Sequence, residues 1–286
     1  MDETTCTHDC AACGEDCPSR AKPQSLQEAP NALSRIGHVL AVVSGKGGVG
    51  KSLVTSALAV QLNRLGRRVG ILDADVTGPS IPRAFGLNAR AEGSDAGMFP
   101  CRTASGIAVM SINLLLADSG EPVVWRGPMI AGAVKQFWTD VVWGDIDVLL
   151  VDMPPGTGDV PLTVFQSLPV DGIVVVTSPQ ELVGMIVEKA VRMAEMMHVP
   201  VLGAVENLSG FRCPDCGAVH DVFGGSSIAA VAAQHGIART ARLPIDPALS
   251  RLTDLGSIEQ LPDEYLKDLA AALDARLTAQ TDGKEA

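Results

Sequence analysis

The chain has 286 residues, of which 47% are hydrophobic and only 3% aromatic, and its net charge is -11. This length fits one large α/β domain or two small ones, with aliphatic side chains forming most of the core. The acidic charge argues against a nucleic-acid partner, because a phosphate backbone attracts basic surfaces. The sequence also lacks a signal peptide and a long apolar run, so we expect a cytoplasmic protein with no membrane partner.

Residues 1–35 differ in composition from the rest and are expected to form a cysteine-rich tail on a flexible linker. In a cytoplasmic protein, closely spaced cysteines indicate metal ligands rather than disulfides. A [4Fe-4S] cluster and a zinc ion both fit, because thiolates alone do not choose between them. The four candidate ligands are Cys6, Cys10, Cys13 and Cys17.

The stretch from Val39 to Ser52 joins an apolar strand to a glycine-rich turn and matches the pattern G-x-x-x-x-G-K-[ST]. Glycines let successive backbone N–H groups point at a phosphate, and the following helix, predicted over 52–65, directs its positive end to the same place. Lys51 supplies a charge for the terminal phosphates, and the hydroxyl of Ser52 a ligand for Mg²⁺. The residues expected to contact the nucleotide are Gly45, Lys46, Gly47, Gly48, Val49, Gly50, Lys51 and Ser52.

Strands and helices alternate from residue 36 to 279, which predicts a P-loop NTPase with a doubly wound, mostly parallel sheet and helices on both faces. Two of the predicted strands end in carboxylates: 69–72 leads into Asp73 and Asp75, and 147–151 leads into Asp152. Such strand ends meet where an open α/β sheet binds ligands. An apolar strand that ends in Asp152 is the Walker B pattern, whose carboxylate engages Mg²⁺ through its water shell. Residues 280–286 are expected to be disordered.

Two later segments are candidates for contact with the adenine base. Asn207 follows the predicted strand 201–205, and the turn 243–247 contains Pro244 and Asp246. No Asn-Lys-x-Asp element for guanine is present, so the sequence favours ATP over GTP.

Cys213 and Cys216 lie in a Cys-Pro-x-Cys-Gly turn, which presents two thiolates on one knuckle. Tetrahedral zinc and a [4Fe-4S] cluster each take four ligands, so this turn is half of a site. Two copies of the chain across a twofold axis would complete it, which predicts a homodimer. The alternative is that His220 supplies a third ligand from the same chain.

Six motifs in order resemble those of the Mrp/ApbC/Nbp-type iron-sulfur cluster carrier ATPases, within the MinD/ParA/nitrogenase-iron-protein class of deviant Walker A NTPases. They are Lys-Gly-Gly-Val-Gly-Lys-Ser, Asp-Ala-Asp-Val-Thr-Gly-Pro-Ser, Trp-Arg-Gly-Pro-Met, Asp-Met-Pro-Pro-Gly-Thr-Gly-Asp, Glu-Asn-Leu-Ser and Cys-Pro-Asp-Cys-Gly.

The resemblance implies an ATPase whose homodimer holds a labile [4Fe-4S] cluster between paired Cys213 and Cys216 and transfers it to apoproteins. It also implies that Lys46 reaches the partner's nucleotide as a catalytic residue beside Lys51. In the resembled ATPases, the aspartates matching Asp73 and Asp75 act near the metal and orient the attacking water, respectively.

Two other classes share the deviant loop. A MinD/ParA-type positioning ATPase would need a membrane-targeting helix or a basic DNA-binding surface, and the sequence shows neither. An ATP-driven iron-sulfur reductase would use the interfacial cluster for electron transfer, and a reversible, nucleotide-dependent redox couple would identify it.

Overall fold

A computed structural model describes residues 26–76, 78, 80–116, 127–179, 183–213 and 215–284. The predicted metal ligands in the N-terminal tail lie outside the described residues, and so do Trp125 and Arg126 of the Trp-Arg-Gly-Pro-Met motif. Within the described part, no helix has the length and apolar character that a membrane crossing requires.

The centre of the fold is an eight-stranded sheet with the order β12-β9-β8-β1-β7-β2-β6-β5. All neighbouring strands are parallel except β5 and β6. Two short hairpins, β3–β4 and β10–β11, lie outside this sheet. The strands are β1 Arg35–Ser44, β2 Val69–Asp73, β3 Gly93–Ser94, β4 Gly97–Met98, β5 Cys101–Arg102, β6 Ala108–Met110, β7 Asp145–Asp152, β8 Gly172–Thr177, β9 Val201–Glu206, β10 Phe211–Arg212, β11 Val219–His220 and β12 Thr240–Arg242.

Helices cover both faces of the sheet, which confirms the predicted doubly wound fold. One face carries α1, α2, α7 and α8, and the other carries α3 to α6. The helices are α1 Lys51–Arg64, α2 Ile81–Ala84, α3 Gly127–Thr139, α4 Asp159–Ser167, α5 Val183–Met196, α6 Ile228–Gln234, α7 Pro247–Asp254 and α8 Lys267–Lys284.

The central strand β1 shows why the sheet forms here. Val39, Ala41 and Val43 pack into the core on one side, and Leu40 and Val42 pack into the core on the other. A strand buried on both faces needs a continuous apolar run rather than an alternating one. Because β1 lies between β7 and β8, the loop that follows it emerges at the middle of the sheet's carboxyl edge.

The structure differs from the sequence-based expectation at both ends of the domain. Residues 26–34 are docked rather than flexible: the backbone N–H of Glu28 donates to Ser167 O at 2.8 Å, its carboxylate pairs with Lys135 at 2.7 Å, and its carbonyl accepts from Trp138 Nε1 at 2.8 Å. At the other end, the last helix begins at residue 267. Leu266, with φ of +59°, lies outside the helical region. This helix then continues to residue 284, past the predicted boundary at 280.

Candidate functional site

The glycine-rich turn connects β1 to α1 at the carboxyl edge of the sheet. Gly48 and Gly50 both have φ of +79°, a conformation that L side chains rarely adopt. A Cβ added at Gly50 would also collide with Nδ2 of Asn207. Gly50 is the N-cap of α1, and no side chain caps this helix end, so its first N–H groups are directed toward an anion-binding position.

Acidic and hydroxyl side chains converge directly behind this turn. Asp73 ends β2 and Asp152 ends β7, and the register of these neighbouring strands pairs the two residues. Both carboxylates are almost completely buried. Asp152 accepts hydrogen bonds from Ser52 Oγ at 2.5 Å and Thr55 Oγ1 at 2.7 Å, and Lys51 Nζ lies 2.9 Å from its Oδ1.

The electrostatics of this pair are unfavourable without a further cation. Burial is the main cause that raises the pKa of Asp73, to about 8, and the nearby charge of Asp152 adds to the effect. Lys51 and a hydrogen bond from Ser111 Oγ at 3.0 Å act in the opposite direction. Two buried carboxylates facing one lysine form an oxygen-rich set of the kind that Mg²⁺ prefers.

Asp75 and Lys46 lie at the outer side of the same edge. The Asp75 carboxylate is 3.7 Å from Lys51 Nζ and is largely buried. Lys46 is half-buried on the turn itself. The predicted contact of Lys46 with a partner's nucleotide stays a prediction.

The loop after β7 is tied by backbone hydrogen bonds to the end of β1, just before the glycine-rich turn. The Met153 N–H donates to Val42 O at 3.1 Å, and the Gly156 N–H donates to Ser44 O at 2.9 Å. Gly156 has φ of +88°, which allows the loop to bend back over the end of β1. The loop after β7 is therefore held against the strand end from which the glycine-rich turn starts.

The three residues predicted to contact adenine have defined structural contacts. Asn207 is buried and donates from Nδ2 to Val49 O at 2.9 Å, so it supports the glycine-rich turn. Asp246 caps α7 by accepting from the Ala248 N–H at 2.7 Å, and its second oxygen accepts from the Tyr265 hydroxyl. Burial, followed by this hydrogen bond, raises the pKa of Tyr265 to about 12. Pro244 is half-buried in the same turn, and the contact of all three with adenine stays a prediction.

Cys213 and Cys216 lie in the loop of the β10–β11 hairpin, which follows the carboxyl end of β9. The Cys213 N–H donates to Ala218 O at 2.8 Å and the Gly217 N–H donates to Cys213 O at 2.9 Å, which closes a tight turn. Hydrogen bonds from the backbone N–H groups of Cys216 and Asp215 to the Cys213 sulfur hold the pKa of that thiol below its usual range. Cys213 is half-buried and Cys216 is exposed, so the turn offers two thiols to a ligand outside the chain.

The hairpin offers two ligands and is flanked by apolar side chains. The described residues contain no group of three or more His, Cys, Asp or Glu side chains placed to hold one metal ion, which does not support His220 as a third ligand. The side chains of Val219, Val222 and Phe223 are 56%, 56% and 48% exposed. Exposed apolar residues that cluster beside an incomplete ligand set are typical of a surface that meets another protein.

Sequence reasoning missed several residues of these two sites. Thr55 lies three positions after Ser52, and helical spacing alone could have placed it on the same face. Ser111 follows β6, which was not predicted because it has only three residues. Glu206 belongs to the Glu-Asn-Leu-Ser motif, but its ion pair with Arg242 was not predicted, because Arg242 carries no sequence signal of its own.

Comparison with known proteins finds a matching family model and a similar relative over most of the chain. Residues 35–277 match the family model described as ParA: NUBPL iron-transfer P-loop NTPase. The chain is 42% identical to the iron-sulfur cluster carrier protein of Methanocaldococcus jannaschii over 98% of this chain and 99% of that protein.

Solved structures agree with this match. The nucleotide-binding protein of Archaeoglobus fulgidus in complex with ADP has a TM-score of 0.72 and 47% identity, over 79% of this chain and 89% of that one. The MinD cell division protein of Aquifex aeolicus has a TM-score of 0.57, over 85% of this chain and 97% of that one, and at 19% identity shows the fold alone. The chain therefore belongs to the NUBPL iron-transfer family of ParA-type P-loop NTPases.

Proposed function

We propose that the chain is an ATP-dependent iron-sulfur cluster carrier: a homodimer that binds a labile [4Fe-4S] cluster as cargo and transfers it to apoproteins. The observation that carries this proposal is that a phosphate-binding turn and an exposed two-cysteine hairpin occupy the same edge of one sheet. The turn follows β1 and the hairpin follows β9, with only β8 between them. Such an arrangement allows nucleotide binding to act on the cysteines over a short distance.

The nucleotide step uses residues that are already in contact. Lys51 lies between Asp75 and Asp152, and a bound triphosphate would offer it a second set of anions. Mg²⁺, held by Ser52, Asp73 and Asp152, would neutralise phosphate charge and relieve the repulsion between the two buried carboxylates.

Hydrolysis is proposed to be complete only in the dimer. Asp75 orients the attacking water, because its carboxylate lies at the outer side of the edge near Lys51. Lys46 crosses to the nucleotide of the partner subunit and stabilises the charge that develops during phosphoryl transfer. Asn207, Pro244 and Asp246 border the position proposed for the base.

The cargo site is proposed to be shared. A [4Fe-4S] cluster takes four thiolates and one hairpin supplies two, so two chains related by a twofold axis complete the set. The lowered pKa of the Cys213 thiol favours the thiolate form that binds iron. The exposed Val219, Val222 and Phe223 would be covered when the two hairpins meet.

The proposed setting is the cytoplasm, with apoprotein clients and cluster donors as partners and with no nucleic-acid or membrane partner. The net charge of -11 argues against the last two partners, because it disfavours association with nucleic acid and with anionic lipid surfaces.

The test separates the hairpin from the N-terminal cysteines in the full-length chain. Cys6, Cys10, Cys13 and Cys17 are changed to Ser together, and the protein is reconstituted anaerobically with iron and sulfide. We expect about four irons per two chains and a dimer in sedimentation, both lost when Cys213→Ser and Cys216→Ser are added. Cys101→Ser is the matched control and should retain the iron. An unchanged iron content after loss of the hairpin cysteines would contradict the proposal.

A further inference from the structure

A chain of polar contacts joins the glycine-rich turn to the cysteine hairpin. Its members, which we call the relay, are Asn207, Glu206, Ser209, Arg242 and Asp221. At one end, Asn207 donates from Nδ2 to Val49 O at 2.9 Å. At the other end, Asp221 directly follows β11, so it lies at the base of the hairpin.

The inner part of the relay is buried and strongly hydrogen-bonded. Glu206, the last residue of β9, is fully buried and precedes Asn207 directly. Its Oε1 accepts from Ser209 Oγ at 2.6 Å, and Ser209 Oγ in turn accepts from Arg242 Nε, also at 2.6 Å. Arg242 Nε also lies 3.5 Å from Glu206 Oε1, so its charge compensates the buried carboxylate.

The outer part is weak. Arg242 Nη2 is 3.6 Å from Asp221 Oδ1, and these two side chains are 48% and 52% exposed. Exposed ion pairs of this length contribute little to stability. A small change in the position of Glu206 or Ser209 is therefore enough to make or break the contact with the hairpin.

A second arrangement of Arg242 is available. Among the described residues, Glu206 Oε2 has no hydrogen-bond partner although it is buried. A buried acceptor in this condition is costly, and a guanidinium has enough donors in one plane to serve both oxygens of a carboxylate. If Arg242 pairs with both oxygens of Glu206, it releases Asp221. In the first arrangement Arg242 holds the hairpin through Asp221, and in the second arrangement this contact is absent.

We propose that Arg242 is a positioning residue that transmits the state of the glycine-rich turn to the cysteine hairpin by exchanging Asp221 for the second oxygen of Glu206. This inference rests on the function proposed above, and names how nucleotide would regulate the cysteine site. Nucleotide binding moves the Val49 carbonyl, Asn207 follows it, and the end of β9 shifts with Glu206. The hairpin is then held or released according to the partner that Arg242 takes.

The experiment compares Arg242→Ala with Arg239→Ala, which removes the same charge from an exposed arginine just before β12. Ser209→Ala is the second variant, because it removes the bridging hydroxyl without changing charge. Hydrogen exchange of the amides in 211–220 is measured on full-length, cluster-free protein, with and without Mg²⁺ and a non-hydrolysable ATP analogue. Affinity for the analogue is measured by calorimetry.

In the wild type and in Arg239→Ala, we expect the analogue to change the hydrogen-exchange rate of the hairpin amides by about fivefold or more. Arg242→Ala and Ser209→Ala should lose this response while affinity for the analogue stays within about twofold of wild type. A merely structural role would instead lower affinity or raise exchange throughout the domain. Three results would overturn the inference. The first is a wild-type change in hairpin exchange in both Arg242→Ala and Ser209→Ala, and the second is a loss of affinity for the analogue as large as the loss of this change. The third is a wild-type hairpin whose exchange does not change when the analogue binds. Failure to bind a cluster would overturn the proposed function alone, because this readout uses cluster-free protein.

Discussion

The glycine-rich turn together with Lys51, Asp73 and Asp152 behind it, which we call the nucleotide edge, lies at the same carboxyl edge of the sheet as the cysteine hairpin. The two regions are built differently. Behind the glycine-rich turn, Lys51, Asp73 and Asp152 are buried and held by short contacts within one chain. The hairpin consists of two strands of two residues each, with Cys216 exposed at its turn.

This difference indicates which part of the function one chain can perform. A buried set of side chains held by ion pairs and hydrogen bonds is pre-organised for its ligand, because few rotamers have to be fixed on binding. An exposed hairpin that offers two thiols beside apolar neighbours needs a second surface to complete a set of four ligands. Nucleotide binding is therefore expected of the monomer, and cluster binding of the dimer.

The largest effect is expected from Lys51→Ala, which removes the cation between the buried carboxylates. We expect ATP hydrolysis, followed as phosphate release, to fall by about 10²–10³-fold, because charge in the transition state loses its closest cation. The matched control is Lys189→Ala on α5, whose side chain is exposed. A loss no larger than in this control would show that the nucleotide edge is not the catalytic site.

Mixing two inactive variants tests whether Lys46 acts on the nucleotide of the partner chain. Lys46→Ala alone should lower hydrolysis by about 10²-fold while the monomer still binds nucleotide. When it is mixed equally with Lys51→Ala, half of the dimers contain one subunit of each kind, with one complete site among two. Hydrolysis should then recover to about one quarter of the wild-type rate. If mixing restores nothing, Lys46 acts within its own chain or not at all.

Because Asp73 is buried beside Asp152, we expect the effect of Asp73→Asn on thermal stability to depend on pH. Because the folded-state pKa of Asp73 is raised from 3.8 to about 8, folding takes up a proton in this interval, and stability falls as pH rises through it. Without nucleotide or Mg²⁺, the variant should therefore melt above wild type at pH 9, by about 2–4 °C for each kcal/mol gained. The difference should shrink toward pH 4.

Thermal unfolding across this pH range measures the effect, with the exposed Asp95→Asn as control. A gain in melting temperature that is the same at both pH values would exclude titration of Asp73 as its cause.

The smallest effect concerns the reactivity of the thiols. Backbone N–H groups lower the pKa of Cys213, whereas burial raises that of Cys101. In reduced, metal-free protein at pH 7, iodoacetamide should modify Cys213 about fivefold faster than Cys101, because the thiolate is the nucleophile. Peptide mass spectrometry measures both rates, and equal rates would contradict the assigned environment of Cys213.

The fold and the nucleotide edge were accessible from sequence because their signals are local. An apolar run, a glycine-rich turn and a carboxylate at a strand end are each legible within a few residues, and parallel pairing then brings Asp73 beside Asp152. The structure confirms the predicted doubly wound sheet. It also keeps the predicted Mg²⁺ ligands Ser52, Asp73 and Asp152 within one cluster.

The contacts that the sequence did not reveal are those between distant segments. Arg242 meets Ser209 and Asp221 only because β12 pairs with β9. Asn207 was predicted from its position after a strand, but its contact with Val49 depends on how closely the turn approaches β9. The docking of Glu28 likewise depends on Lys135 and Trp138, which are more than 100 residues away.

The contacts of Glu28 determine at which end of the sheet residues 26–34 lie. Glu28 is fastened near the C-terminal ends of α3 and α4, and the chain then enters β1 at Arg35, opposite Asp145. Residues 26–34 thus lie at the end of the sheet where the parallel strands begin, whereas Cys213 and Cys216 lie at the end where those strands finish. A partner that contacts residues 26–34 and a partner that contacts the hairpin would therefore bind at opposite ends of the sheet.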